Sequence, residues 1–301
     1  MSENNSGYTI IRISDYFEFL QQVTEIYAFI NNDSENKNLI QEGNKEIWFR
    51  GVSNSKYPLI PSIYRPTLLA GEQNSTELIN ILCKLRDNFH VEAVNMIEAE
   101  RLHSLYFDKK NIYSWLVMME HYQTPTNLLN FSTKQNTALF FALQDYFYNK
   151  NFESDSIPCV WVLIPTELNK NCKKKIVANF ESINNENYIP LVDDYKKSSK
   201  DSIFNYHCAI RSVYDNKNIK KQSGVFVNFP LNIKKSQIES YYLEGQDNSK
   251  EFLVKILISE PHKLVSQLWF TGERPWDYLP HLDIVGKTLG SNRFNSNRIK
   301  C

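Results

Sequence analysis

The sequence WFRG at residues 48–51, read together with HYQTPTNLLNFST at residues 121–133, decides the fold. In the first stretch, two large aromatic side chains stand beside an arginine and a glycine, which predicts a strand over residues 46–50 with a cation at its end. The glycine would let a ligand approach the backbone. A guanidinium offers paired donors to a phosphate or a carboxylate. The alternative interpretation is a structural arginine that pairs with a buried carboxylate.

The second stretch crowds histidine, tyrosine, asparagine and hydroxyl side chains between two apolar segments. Those segments predict helices over residues 113–120 and 137–148. Residues 128–131, between them, predict an irregular apolar turn. A lone histidine is more often a satisfied core residue. Polar groups at this density must find partners or a ligand, because buried polar atoms are nearly always hydrogen-bonded. The loop is therefore the second half of a candidate site.

Other patterns complete an α+β fold with a central mixed or antiparallel sheet and flanking helices. Ser14 predicts the N-cap of a helix to about residue 30, and apolar spacing predicts helices over residues 77–107 and 261–270. Runs of β-branched and aromatic residues predict strands over residues 159–164, 224–229 and 252–258. Residues 165–221 are rich in Asn, Ser and Lys and predict long loops with short elements.

Charge and cysteine content exclude several classes of protein. The 301 residues include 34 basic and 34 acidic side chains, so the net charge is not that of a strongly basic nucleic-acid binder. The five cysteines lie far apart without a CxxC pair, which argues against a disulfide framework and a zinc site. No apolar leader or run of about 18 apolar residues occurs. We therefore expect a cytoplasmic protein without a metal or a membrane partner.

One segment departs from the balanced charge. Residues 165–235 contain 13 basic and seven acidic side chains, a local excess of six positive charges. Such a segment could form a face for nucleic acid. It could equally be a set of solvated lysine loops, because the lysine runs contain few aromatics to stack on bases. Tyr188, Tyr195 and Tyr206 give modest support to the nucleic-acid interpretation.

These stretches together resemble the FRG family, which is named for the Phe-Arg-Gly that stands here at residues 49–51. PSIYR at residues 61–65 matches the Pro-Ser-x-x-Arg element of that family, and residues 121–129 keep its His-Tyr, Pro-Thr and Leu-Leu pairs. LPHLD at residues 279–283 is similar to a late Phe-Pro-x-Leu-Asp element. The resemblance implies an N-terminal helical segment over residues 1–45, an FRG-type domain over residues 46–290 and a tail over residues 291–301.

The chain departs from the family pattern in the second stretch. Glu120 stands where the family has Gln, Gln123 where it has Gly, and Asn127 where it has Arg. Residues 130–131 read Asn-Phe in place of Asp-Trp. Mechanisms that depend on the loop Arg or Asp therefore do not transfer to this chain, whereas Arg50, Arg65 and the His-Tyr pair are kept.

The pattern is also similar, more distantly, to ADP-ribosyltransferases of the arginine-serine-glutamate class, in which an aromatic-Ser-Thr step follows an aromatic-Arg strand. FST at residues 131–133 supplies that step. This resemblance implies an ADP-ribosyltransferase-like sheet and NAD as a substrate, whose nicotinamide bond breaks through an oxocarbenium-like state. The residues that it assigns to NAD binding are Phe49, Arg50, Gly51, Arg65, Tyr122, Thr126, Ser132 and Thr133.

The same resemblance implies roles for individual side chains. The arginines would hold phosphates, His121 and Tyr122 would line the nicotinamide pocket, and Ser132 would orient ribose. No Glu-x-Glu or Gln-x-Glu strand follows, so the third catalytic position falls to Gln222, Glu239 or Glu244. The predicted catalytic residues are Arg50, His121, Tyr122, Ser132 and Gln222.

The resemblance implies an NAD-consuming toxin of a toxin-antitoxin or phage-defence locus. Its acceptor would be RNA or protein, with RNA favoured by the basic segment, and a cognate antitoxin would be its partner. A different function is open: a module that recognises a nucleotide or nucleic acid in the same pocket without turning it over.

Overall fold

The computed structural model describes residues 3–5, 8–31, 45–65, 75–96, 112–148, 156–169, 189, 206–211, 217–232, 238 and 253–279. Its eight strands are β1 (Glu3–Asn5), β2 (Tyr8–Ile13), β3 (Trp48–Val52), β4 (Leu128–Ser132), β5 (Cys159–Leu163), β6 (Cys208–Ile210), β7 (Gly224–Asn228) and β8 (Leu253–Ile258). The described helices are α1 (Tyr16–Ile30), α2 (Ser75–Met96), α3 (Ile112–His121), α4 (Gln135–Phe147), α5 (Pro165–Asn169), α6 (Lys217–Gln222), α7 (Pro261–Phe270) and α8 (Pro275–Tyr278). A short 3₁₀ turn spans Ser62–Tyr64.

The strands form one mixed sheet in the order β1-β2-β8-β5-β3-β4-β7-β6. The β2–β8 pair is parallel and the others are antiparallel. Strand β5 is buried along its whole length, as its run of apolar residues predicts. The α+β class, with a mixed sheet and flanking helices, is therefore confirmed.

The centre of this sheet is weakly joined. Strand β3 pairs with β5 over five residues, and β4 pairs with β7 over five, whereas a single pair, Phe49 with Ser132, joins β3 to β4. The sheet thus consists of a five-stranded and a three-stranded half that part beyond Phe49. A gap opens in the middle of the sheet, between the two sequence stretches that carry the candidate site.

Helix α4 packs across β3 at this gap. Leu139, Phe140 and Leu143 are fully buried on it and belong to the main core, which explains why this segment is apolar on nearly every side. Its N-terminal half lies against Gly51, and its C-terminal half reaches the aromatic residues near α7 and α8. The helix therefore fixes one wall of the gap.

Several helices and strands agree with the sequence prediction to within one or two residues. They are α3, α4, β5, β7, β8 and α7, and the long helix α2 is confirmed over Ser75–Met96, with the rest of its predicted span outside the described residues. The N-cap prediction was wrong by one position: Asp15 caps α1 and accepts a bond from the Glu18 N–H, whereas Ser14 donates to the Glu18 carboxylate.

Two predictions for strands missed their targets. Residues 128–131 are not an irregular turn but part of β4, because pairing with β7 gives their backbone partners that the sequence alone does not reveal. The segment before α1 also contains a strand, β2, whose partner β8 lies more than 240 residues away. The described part of the chain has no helix that is both long and apolar enough to span a bilayer.

Candidate functional site

A cavity of about 350 Å³ lies where β3 and β4 part, and it opens to solvent. Both strands contribute to its wall, and α3, α4 and α6 complete it. Gly51 faces α4, so the side chain of Arg50, one position earlier, points to the opposite face of the sheet. Because residues from both faces line it, the cavity passes into the gap between the half-sheets. Its lining residues are Phe49, Arg50, Gly51, Val52, Ser53, Glu120, Asn130, Phe131, Ser132, Thr137, Ala138, Phe141 and Gln222.

Arg50 supplies a cation to this cavity. Its Nη1 donates to the backbone oxygen of Asn130 at 2.5 Å, across the gap between the two strands. Within the described residues this is the guanidinium's hydrogen bond, so its other N–H groups are available to a ligand. Burial lowers the pKa of Arg50 to about 10; Glu120 opposes that shift and Arg65 adds to it. The group stays protonated at neutral pH.

Glu120 supplies a carboxylate to the same cavity. It is the penultimate residue of α3, and its Oε2 accepts a bond from the Thr126 hydroxyl at 2.8 Å. Burial raises the pKa of Glu120, against the opposing effects of Thr126, Arg50, Arg65 and Ser62. A carboxyl group and a guanidinium group thus line one cavity of modest size.

Gly51 has a packing role in addition to its place at the cavity. A Cβ atom at this position would lie 1.8 Å from the Ala138 carbonyl oxygen and 2.5 Å from the Ala142 nitrogen. The residue borders the cavity, but the close approach that it permits is that of helix α4 to strand β3. The glycine of the motif therefore holds helix and strand together, and its contact with a ligand at the cavity stays a prediction.

Ser132 and Gln222 line the cavity and are tied to each other. The Ser132 hydroxyl donates to the Gln222 backbone oxygen at 2.6 Å and accepts from the Lys134 N–H at 2.9 Å. The Gln222 amide donates to the Tyr278 backbone oxygen at 3.0 Å. Both side chains already have backbone partners, which hold them in place at the cavity wall. The other two candidates for the third position, Glu239 and Glu244, lie outside the described residues.

The remaining residues assigned to NAD divide into three groups. Phe49 lines the cavity, and Arg65 lies close enough to affect both Arg50 and Glu120. Thr126 is fully buried and does not line the cavity; its role is to bond Glu120 and the Ser62 hydroxyl. Thr133 lines a second hollow on the far side of Phe49. The contact of Thr126 and Thr133 with a ligand in the first cavity is therefore not supported.

His121 and Tyr122 lie outside the lining of this cavity. Neither is among the residues that line the cavity, although both follow Glu120 directly. Tyr122 is 55% exposed, and its ring lies 6.4 Å from that of Phe89 on α2. The helix ends here, and the next residue, Gln123, has a φ of 62°, so the chain turns away from the site after one carboxylate. That these two rings contact nicotinamide stays a prediction, and the lining of this cavity does not include them.

Two further polar atoms belong to the cavity wall. Among the described residues, Asn130 Oδ1 and Thr137 Oγ1 are buried and have no hydrogen-bond partner. Buried polar atoms without partners are uncommon in folded proteins and cost free energy. Asn130 occupies the position where the family has Asp, so the wall keeps a polar acceptor there.

The surroundings of Glu120 in the sequence contain one signal of a functional carboxylate. It is the acidic residue that interrupts an apolar run, with four fully buried neighbours in Leu116–Met119. A carboxylate in such a place needs compensation from a cation or a hydrogen bond. In contrast, the Asn127 amide, at the family's Arg position, is buried away from the cavity and bonds Asn228 and Phe229. In the described part of the chain, no cluster of His, Cys, Asp and Glu could hold a metal ion.

Comparison with known proteins agrees with the resemblance over the region that forms the site. Residues 45–151 match the family model described as the FRG domain. This range contains β3, the 3₁₀ turn, α3, β4 and α4, which build most of the cavity. No curated protein and no solved structure matches the chain. The late element at residues 279–283 lies beyond the matched range.

Proposed function

Since the chain contains an FRG domain, we propose that it is an NAD-dependent ADP-ribosyltransferase whose substrate binds where β3 and β4 part. The observation that carries the proposal is the Arg50 guanidinium, which lines the cavity with N–H donors left over. A half-buried cation of this kind is a strong partner for a phosphate, because charge-assisted bonds gain strength away from water.

The cavity suits part of a dinucleotide. Its volume of about 350 Å³ is at the lower end for ligand sites, so the nicotinamide ribose would lie inside and the adenosine at the opening. Arg50 and Arg65 would bind the pyrophosphate. Phe49 and Phe141, which line the cavity, would contact the nicotinamide ring in place of the residues that the sequence suggested.

Such binding can promote loss of nicotinamide. The bond between the ribose C1 carbon and the ring nitrogen breaks with its electron pair going to the ring, which leaves as neutral nicotinamide. Positive charge develops on the ribose, and a low-dielectric wall with fixed dipoles stabilises it better than water does. The carbonyl of Asn130 and the amide of Gln222 provide dipoles of this type.

The rest of the function follows from the resemblance. We propose that the enzyme acts in the cytoplasm as the toxin of a toxin-antitoxin or phage-defence system and that its sheet is of the ADP-ribosyltransferase type. The acceptor is RNA or protein. RNA is favoured by the excess of basic residues over residues 165–235, and a cognate antitoxin is the expected partner.

One observation favours a second function. Ser132 and Gln222 are committed to backbone partners, and His121 and Tyr122 lie outside the cavity wall. In this arrangement Arg50 can bind a ligand, whereas few of the other predicted catalytic side chains are placed to act on it. A module that recognises a nucleotide without turning it over is consistent with that arrangement.

Labelled NAD separates the two functions. Purified protein is incubated with NAD labelled in the adenylate, in the presence of total cellular RNA or a protein extract, and label in each macromolecule is measured. The transferase predicts label on RNA, or on protein if that is the acceptor, and loss of label in Arg50→Ala. The matched control is Arg86→Ala, because Arg86 lies on α2 and pairs with Asp87 away from the cavity. Binding of NAD without nicotinamide release or transfer would favour the module.

A further inference from the structure

We propose that Glu120 is the catalytic carboxylate of this site and accepts the proton of the attacking hydroxyl. The inference rests on the proposed function and deepens it. It fills the position that the sequence left between Gln222, Glu239 and Glu244, and it does so from a part of the chain that precedes Ser132.

The position of Glu120 at the cavity supports this role. Glu120 and Arg50 both line the cavity, and each contributes to the electrostatic environment of the other. A substrate whose pyrophosphate is held by Arg50 would therefore place its ribose within reach of a carboxylate. Candidate bases are judged first by such reach and then by their protonation.

Hydrogen bonds from neighbouring residues hold the Glu120 carboxylate in place. Thr126 donates a hydroxyl bond to Oε2, and Thr126 is itself fixed by the Ser62 hydroxyl, which accepts from its N–H at 3.0 Å. Thr126 is fully buried, so this arrangement is rigid. The carboxylate is thus held at the cavity wall by a hydroxyl group that is itself fixed.

The surroundings of Glu120 also shift its pKa in the direction that suits a proton acceptor. The charged and polar groups that face Glu120 are Arg50 from β3, Arg65 and Ser62 from the 3₁₀ segment, and Thr126 from the loop before β4. They favour the carboxylate, but burial dominates and raises the pKa of Glu120. A carboxylate with a raised pKa is a better proton acceptor than one in water.

The proposed step moves the ribose C1 carbon from the nicotinamide nitrogen to an oxygen. A hydroxyl of the acceptor, or water, forms a bond from its oxygen to the ribose C1 carbon, and the bond from C1 to the nicotinamide nitrogen breaks. The electron pair of that bond neutralises the positive ring. The hydroxyl proton passes to the Glu120 carboxylate, which later returns it to solvent.

The test uses Glu120→Gln, because a glutamine keeps the shape and can still accept the Thr126 hydroxyl bond but cannot accept a proton. Because the two side chains have nearly the same volume, the variant is expected to fold. With NAD as substrate and water as the acceptor, nicotinamide release is measured between about pH 5 and pH 9. We expect at least about a 100-fold loss of rate, with the NAD dissociation constant changed less than about threefold.

A pH profile separates chemistry from structure. In the wild type the rate should fall as the pH drops through the pKa of Glu120, and the residual rate of the variant should lack that acid limb. Glu120→Asp, which keeps the charge but withdraws it, should recover part of the rate and the acid limb.

The failures are distinguishable. An active wild type and an equally active Glu120→Gln would overturn the role of Glu120 and leave the transferase standing. A wild type that binds NAD but releases no nicotinamide under any condition would overturn the proposed function and the role of Glu120 with it. Loss of NAD binding in the glutamine variant would show a binding role and overturn the catalytic one.

Discussion

Gly51 on β3 lies directly beneath Ala138 on α4, so that a Cβ atom at position 51 would meet the Ala138 carbonyl oxygen at 1.8 Å. Backbone atoms of a helix cannot move aside as a flexible side chain can. The glycine of the Phe-Arg-Gly motif thus sets the distance between helix and strand, and with it one wall of the cavity that Arg50 enters from the neighbouring position.

Gly51→Ala should therefore destabilise the fold. We expect a loss of about 2 kcal/mol or more in the free energy of unfolding, because overpacking against backbone forces the helix away from the sheet. Urea denaturation followed by circular dichroism measures it. Gly272→Asn is the control, since Gly272 has a φ of 91° with open space around it and asparagine tolerates positive φ. Equal stability of Gly51→Ala and wild type would contradict the packing argument.

Ser132→Ala should affect stability more than NAD binding. The substitution removes a hydroxyl that bonds the Gln222 carbonyl and the Lys134 N–H, so about 1–2 kcal/mol of unfolding free energy should be lost. The NAD dissociation constant should change less than about threefold. Thermal melting and calorimetric titration measure the two effects. A stable variant that no longer binds NAD would instead support the role that the sequence suggested, in which Ser132 orients ribose.

His121→Ala and Tyr122→Phe should leave the reaction nearly intact. Neither residue is part of the cavity wall, so nicotinamide release should stay within about threefold of the wild-type rate. The comparison with Glu120→Gln is informative because the three residues are consecutive. If either variant were as impaired as Glu120→Gln, the assignment of the site to the gap between the strands would be wrong.

The stability of the protein should depend on pH through Glu120. Its folded pKa is raised above the ordinary value of 4.5 for a glutamate, so the folded state binds more protons than the unfolded state between the two values. Below the unfolded pKa the carboxyl is neutral in both states and costs nothing. As pH rises towards the folded pKa, this group reduces stability. Glu120→Gln should therefore melt at a higher temperature than wild type at pH 7 and at the same temperature near about pH 4.

The control for this pH effect is Asp15→Asn. Backbone bonding at the N-terminus of α1 lowers the pKa of Asp15, so its contribution has the opposite sign: it is present above the unfolded pKa and lost as pH falls. The stabilities of Asp15→Asn and wild type should converge at low pH from the other direction. A melting temperature of Glu120→Gln below that of wild type at pH 7 would contradict the burial of that carboxylate.

Local patterns predicted much of the fold. Apolar spacing placed α3, α4 and α7, and the apolar run of β5 placed the central strand, because burial on several sides leaves a direct trace in composition. Strand β4 escaped prediction because its pairing with β7 is formed by residues almost one hundred positions apart. The separation of β3 from β4 beyond one residue pair also depends on contacts between distant segments, so no short stretch of sequence indicates it.

The site was predicted in part for the same reason. The WFRG stretch placed Arg50 and Phe49 at the cavity, and the FST step placed Ser132 there. A sequence motif does not show which residue at the end of a helix faces the gap. The motif therefore predicted His121 and Tyr122 as site residues but not their neighbour Glu120. The side chain at the end of α3 that reaches the gap is decided by the contacts with Thr126 and Ser62, which lie on two other segments.

Calorimetric titration of NAD into the wild type and Arg50→Met tests the central claim most directly, because methionine fills the volume of the arginine stem without its charge. The account predicts saturable binding to the wild type and at least about tenfold weaker binding to Arg50→Met, with Arg86→Met unchanged. Equal affinity of the wild type and Arg50→Met, or no binding of NAD to the wild type, would contradict it.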